Sequence, residues 1–489
     1  MNSSSRVSAR ESSLAARSFA GVRRAAWRFR WLFGAMMLGA ATSAAVVGQG
    51  IRDSGDRSAW PKSSGWLVQG RDGNLLVASG ARIRQEAGLV DKVGSFFLGL
   101  GYGAPAFDSA ALSLMRFTPD GALDARFGNG GWVMTPLLPL RNRNSATVTA
   151  LLQDSAGRPI VVGWRYVWTA MDADVLVIIA ARYTTSGELD TSFGDRGVVT
   201  TRVDKTAVTQ AFAAVLDGQD RLLVAGYSGG RKVRDAHGSF DDWSVNSVLL
   251  RYTPDGVLDA SFGDRGVASQ AMDPSGKDKR SGRDFLLYDY RHTKTAGLVL
   301  DRQGRAVVGA SNGEGPALLM RYSQDGKQDP TYGSAGIVRT SVGAGFCVSA
   351  LLSDSDGRIT AAGTNGDRMV LVRSSEDGVL DSAFGVGGMS SAPMSVGMRV
   401  SAALQEREGH LLVVASGETG VQLARFDRDG IPDKSFGSEG VIRSESGKSL
   451  ATSAGLAIDA AGIPTVAVLS GGKILLTRFD REGPVELRK

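Results

Sequence analysis

Apolar runs of four to six residues, rich in Val, Ile and Leu, alternate with short polar turns from Gly65 to the C-terminus. One element joins an apolar run, a tight polar turn and a second apolar run ending in small residues: GWLVQGRDGNLLVASG from Gly65, ALLQDSAGRPIVVG from Ala150 and GLVLDRQGRAVVGA from Gly297, with further copies from Ala213, Ala350, Ala403 and Gly455. Runs of this length and composition around Asp-Gly or Gln-Gly predict β-hairpins. A further apolar run ends at an arginine, as in LSLMRF, VIIAARY and VLLRY, and a short one follows a glycine, as in GWVMT and GVVTT. The pattern therefore predicts four strands per repeat. No amphipathic helical stretch follows residue 60.

Between the third and fourth runs lies an Arg-aromatic-x-x-Asp-Gly-x-x-Asp-x-x-Phe-Gly-x-x-Gly motif, beginning at Arg116, Arg182, Arg251, Arg321, Arg373 and Arg425, with a truncated seventh copy at Arg478. About seven antiparallel four-stranded repeats predict an all-β fold, a seven-bladed β-propeller over residues 65–489, because radial closure hides sheet edges. The first repeat is read as entering at its second strand, near Trp66. The spare Val485-Glu-Leu487 is expected to complete that first blade and join the ring.

The Asp-Gly-x-Leu-Asp-x-Ser-Phe-Gly-x-x-Gly core, followed by an Asp-x-x-Gly-Arg-Ile-Val-Val-Gly element, resembles the delta-60 repeat family of exported bacterial proteins. The resemblance covers the chain from about residue 65 and implies a secreted or envelope-associated propeller, with no particular reaction. Ser186, Ser374, Gln328, Tyr332 and the truncated last copy depart from the pattern.

A residue repeated in every blade is first a candidate for architecture. The motif arginine and second aspartate are eight residues apart in six copies: Arg116 with Asp124, Arg182 with Asp190, Arg251 with Asp259, Arg321 with Asp329, Arg373 with Asp381 and Arg425 with Asp433. The truncated copy offers Arg478 with Glu486. Structural ion pairs are expected. Two other readings stand beside that one: calcium held by the aspartates, which lack the dense alternating carboxylates of known loops, and an anion held by a ring of unpaired arginines.

Motif spacing is 66, 69 and 70 residues for the first three intervals and 52, 52 and 53 thereafter. The extra length falls at residues 81–110, 136–145, 164–174, 227–246 and 270–295, all expected on one face, where irregular loops on a rigid scaffold commonly bind. Candidate ligand-binding residues there are Trp164, Tyr166, Trp168, Arg234, His237, Trp243, Tyr288, Tyr290 and His292, since aromatic platforms with charged groups suit glycans and peptides. The plainer reading is packed loops covering a propeller face.

Composition changes the picture at one point. The formal charge of +6 comes from residues 1–44, which hold seven arginines against Glu11, leaving 49 basic and 49 acidic groups. The body is neutral, so no nucleic-acid partner is inferred. Residues 1–48 are a basic leader whose apolar run from Trp31 to Gly48 predicts a signal peptide or an uncleaved anchor, with residues 49–64 as linker. Cys347 is the single cysteine, which rules out an internal disulfide.

Catalytic chemistry is poorly marked. Gly226-Tyr-Ser228-Gly-Gly230 fits a serine-nucleophile pattern without the following helix that the elbow requires. His237 and His292 are the candidates for an acid and base or for metal ligands, but no catalytic residue, metal or cofactor is assigned. The expected function is an exported, monomeric binding or scaffold module for an envelope glycan, peptide or protein, meeting membrane only through its N-terminal segment. The alternatives are a lyase or hydrolase acting on a polymer, and an envelope assembly component without a small ligand.

Overall fold

The computed structural model describes residues 66–70, 72–85, 107–137, 146–167, 175–203, 208–233, 240–271, 296–311, 316–340, 342–343, 345–444, 451–459, 462–470, 473–479 and 484–486. They form seven sheets, each of four antiparallel strands consecutive in the chain: a seven-bladed propeller. The first strands of the blades are Trp66–Gln69, Thr147–Gln153, Val208–Leu216, Ala296–Leu300, Cys347–Ser353, Arg399–Gln405 and Ala451–Ile458. Each packs against the first strands of both neighbouring blades, Trp66–Gln69 against Ala451–Ile458 included, so these strands surround the axis and the ring is closed.

Closure is not made as the sequence pattern suggested. Pro484–Glu486 pairs with Lys473–Phe479 inside the seventh blade, and the first blade is complete with Trp66–Gln69, Leu75–Gln85, Phe107–Phe117 and Trp132–Pro136. The strand at Trp66 is first and innermost, not second. Backbone bonds explain the register: the motif folds back on the strand before it, with Arg116 N–H donating to Gly131 O at 2.9 Å, so the strand after the motif joins the same sheet. Blades seven and one close through apolar packing of Leu67, Leu75 and Val77 on Ala457, Ala467 and Leu476.

This one-strand shift moves the blade-to-blade links. They emerge on the same face as the connections between second and third strands, while the Asp-Gly hairpin turns and the motifs occupy the other. The insertions thus share their face with the links, and we call the two ends the loop face and the turn face.

The motif fastens each of the first five blades to the next. Arg251 Nε donates to Asp259 Oδ2 at 2.8 Å, its Nη2 to Ser261 Oγ at 3.1 Å, and its Nη1 to the Gln324 carbonyl of the following blade. The guanidinium lies over the Phe262 ring, 4.5 Å from its centroid. Gly263 N–H reaches Asp325 O, also across the seam, at 2.8 Å. Arg182 meets Asp190 at 2.8 Å, Arg321 meets Asp329 at 2.9 Å, and Arg425 meets Asp433 at 2.7 Å. Arg116 meets Asp124 through Nη2 at 3.0 Å.

Asp381 keeps its pair but departs from these copies in its support. Arg373 Nε donates to Asp381 Oδ2 at 2.7 Å, as the spacing predicts. Ala383, however, stands where the sister motifs have Ser192, Ser261, Thr331 and Ser435, each of which gives its aspartate a hydroxyl as well as an N–H. Asp381 receives only the Ala383 N–H from that position, at 3.2 Å, because a methyl side chain has nothing to donate. Each of the six arginines is therefore paired, leaving no ring of free guanidiniums.

Arg478 differs from the expectation. It bonds Asp459 at 2.5 Å, an aspartate of its own blade's hairpin turn, and Glu486 stands in the last strand opposite Thr477. Glu486, at the position of the second aspartate, lies in a β-strand instead of a motif turn, and the hairpin carboxylate takes the arginine. The motif phenylalanines Phe127, Phe193, Phe262, Phe384 and Phe436, with Tyr332, are buried. Each of the first five seams sets such a ring against the Asp-Gly glycine of the next motif. A Cβ on Gly256 (φ +83°), for instance, would stand 2.9 Å from Phe193 Cε2.

Candidate functional site

On the loop face, the second and third strands of blade two, Pro159–Val167 and Val175–Arg182, and those of blade three, Leu222–Val233 and Phe240–Tyr252, run past the body of the sheet. Their added length brings aromatic side chains together at the seam between the blades. Trp164 and Leu176 are buried there, with half-buried Tyr166 and Tyr227 packed against them. The Trp164 and Tyr166 rings meet edge-on, 5.9 Å apart at 74°. Tyr227 lies 5.3 Å from Phe212, which belongs to the first strand of blade three, so the aromatic series extends from the blade-two hairpin to the channel wall.

Phe212 owes its position to a bulge. The pairing of Val208–Leu216 slips by one residue between Ala211 and Ala213, as it does around Thr149, Ser349 and Ser401, and between Ala451 and Ala454, in four other blades. An extra residue in a strand re-aims its side chain. Blade three has an aromatic ring where those blades have a hydroxyl. That difference is the signal in the sequence by which Phe212 could have been found, and aligning the repeats at the bulge would expose it. Tyr227 carries a weaker one, standing directly after the Gly226 that ends the ordinary hairpin.

Of the sequence-designated residues, Trp164 and Tyr166 are thus brought together. Trp164 is 3 % exposed and serves as the packed base, while Tyr166 remains half-buried. Between them Arg165 is buried, and desolvation draws its guanidinium below the ordinary arginine value. Trp243 lies in the third strand of blade three. Trp168, Arg234, His237, Tyr288, Tyr290 and His292 lie outside the described residues.

The channel offers little acid-base chemistry. Across the seven first strands there is no Asp, Glu, His or Lys, and the charged residue among them, Arg399, is exposed at a strand start. Leu152, Leu216, Leu352, Leu404 and Leu456, all half-buried, stand on these strands instead. Cys347 is buried and its thiol is pushed up by desolvation, which disfavours a reactive thiolate. Ser228, within the apparent nucleophile pattern, is buried in mid-strand opposite Thr209 and Asn246. Among the described residues no group of three or more His, Cys, Asp or Glu is placed to hold a metal ion.

A family model described as a domain of unknown function (DUF5122) beta-propeller matches residues 235–262. That segment runs from the blade-three hairpin into its motif. No curated protein matches the sequence. Among solved structures, a puromycin hydrolase is similar at 13 % identity and a TM-score of 0.42, over 89 % of this chain and 55 % of its own. The NanB sialidase of Streptococcus pneumoniae is similar at 9 % and 0.37, over 86 % and 67 % of the respective chains, and a PL25 ulvan lyase at 12 % and 0.40, over 78 % and 82 %. The chain spans about half the length of the puromycin hydrolase. At these values the likeness gives no residue of this chain a role.

Proposed function

We propose that this protein is an exported propeller of the delta-60 repeat kind that binds an envelope glycan, peptide or protein partner through its loop face. The observation that carries the reading is the aromatic series Tyr166, Trp164, Tyr227 and Phe212 at the seam of blades two and three. A buried tryptophan supporting half-exposed tyrosines makes a stiff, amphipathic surface that loses little side-chain entropy on contact. The insertions are rich in further aromatic and charged residues, a composition that suits the same kind of ligand. A channel without carboxylates or histidines on its first strands favours binding over a reaction at the axis.

The test is a glycan array and a peptide array probed with the full-length protein and with Tyr166→Ala and Tyr227→Ala. Each substitution is expected to weaken a captured ligand at least tenfold while leaving the melting temperature within a few degrees, because both rings are half-buried, not core. Undiminished capture by both variants would move the binding surface elsewhere.

A further inference from the structure

The turn face holds a cavity of about 660 Å³ at the seam of blades one and two, which reaches Val215 and Leu216 at the end of the first strand of blade three. Its origin is a break in the repeat. In blade two the hairpin turn carries Asp154, whose Oδ1 accepts the Arg158 N–H at 2.9 Å and whose Oδ2 accepts Arg158 Nε at 2.7 Å; Arg158 Nη1 then reaches Asp190 at 2.9 Å. Blades three, four and five repeat the turn pair with Asp217 and Arg221, Asp301 and Arg305, and Asp354 and Arg358. Blade one has Gly70 and Asn74 at these positions.

The short side chains leave the clasp but remove its far end. Asp72 turns back to take the missing carboxylate's place: its Oδ1 would lie 2.5 Å from a Cβ built on Gly70, and it accepts from Asn74 N at 3.1 Å and Nδ2 at 2.6 Å. An asparagine cannot extend to the motif aspartate as Arg158 does. Asp124 is held from outside by Arg126 instead, at 3.0 Å. The volume that the arginine occupies in the sister blades is open here.

What surrounds that volume identifies the ligand chemistry. Gln69 and Gln153 end the first strands of blades one and two, and these are the two neighbouring blades whose first strands both end in glutamine. Each amide nitrogen donates to a turn carbonyl, Gly73 O and Gly157 O, both at 3.2 Å, which sets the orientation of the amide planes. Asn74, Asp72 and Arg116 add donors and acceptors, and Leu76, Phe127 and Pro159 supply an apolar wall. The charges that line it are already engaged by the protein: Asp154 by Arg158, Arg116 by Asp124, and Asp72 by Asn74. A site of this size with oriented amides, an apolar wall and its charges taken up by protein partners suits a neutral ligand carrying several hydroxyls.

We propose that this seam is a binding site for a neutral carbohydrate of one or two sugar units, on the face opposite the aromatic series. It stands or falls independently of the loop-face reading.

The full-length protein is titrated calorimetrically with maltose, cellobiose and N,N′-diacetylchitobiose. Saturable binding of at least one is expected, weakened at least tenfold in Gly70→Asp/Asn74→Arg, which restores the sister-blade pair and fills the cavity; exposed Asp72 can swing clear of the new side chain. Gln153→Leu serves if the double variant does not fold, with the same loss expected. Tyr166→Ala should bind these sugars as the parent does. No saturable binding of any of the three, or binding undiminished by filling the seam, would overturn the proposal.

Discussion

The motif arginine does three things with one side chain. Arg251 neutralises Asp259, caps a carbonyl of the next blade and covers the Phe262 ring, all while 4 % exposed. A lysine offers one charged point and no planar fork, so it cannot satisfy these partners together. Replacing Arg251 with alanine leaves a part-buried carboxylate and a seam carbonyl without their donor, and should cost about 3 kcal/mol, the lower end for breaking a buried pair. Equilibrium denaturation with urea would read this as a lower midpoint at unchanged slope. A loss below about 1 kcal/mol would mean the pair behaves as an exposed one. The repeated arginine and aspartate could be recognised as partners from their spacing. Asp381 shows that the pair forms without the supporting hydroxyl, since Arg373 holds it at 2.7 Å with Ala383 in that position. That Arg478 would turn to Asp459 could not be recognised, because the distance between a hairpin turn and a motif is set by the sheet that joins them.

At the scale of the element, the unit of construction is a four-stranded blade that begins with its own hairpin. The last strand, Pro484–Glu486, is an outermost strand of blade seven, away from the contact that closes the ring. Deleting residues 484–489 should therefore lower the melting temperature by a few degrees and leave the ring closed, with an unchanged radius of gyration in small-angle scattering. Expansion of the molecule after this deletion would mean that the terminal strand holds the first blade after all. The bulges in the first strands belong to this scale too. They recur at Thr149, Phe212, Ser349 and Ser401, and turn a residue of otherwise periodic strands into a position where the blades can differ.

For the whole molecule, the repeated carboxylates make acid stability a collective property. The Arg126 hydrogen bond is the largest influence on Asp124 and holds it at about 2, against burial. Asp190 and Asp259 are lowered chiefly by the Ser192 and Ser261 hydroxyls. For Asp329 and Asp433 burial is the largest influence and acts upward, yet the hydrogen bonds of Thr331 and Ser435 and the charges of Arg321 and Arg425 leave both lowered. A carboxylate depressed in the fold stabilises it above the unfolded value, and the gain is lost as pH falls through the folded one. Glu406, raised by burial, acts in the opposite sense. The lowered aspartates outnumber it, so the melting temperature should fall between the ordinary aspartate value of 3.8 and about 2, with net proton uptake on unfolding. A melting temperature constant across that window would show that the seams do not depend on ionised aspartates.

Strand periodicity, the number of blades, six of the seven motif pairs and the face carrying the insertions were determined by the sequence, because each is written locally and repeated. Where a blade starts was decided by the tertiary structure. A repeat of four strands reads the same when shifted by one, and hydrogen bonding between the motif and the strand before it breaks the tie, placing Trp66 at the axis and Pro484–Glu486 at the rim. The aromatic seam and the cavity beside Asn74 likewise arise between blades. A substitution such as Asn for Arg in one turn is visible in the chain, but the volume it opens exists only once a second blade stands beside it.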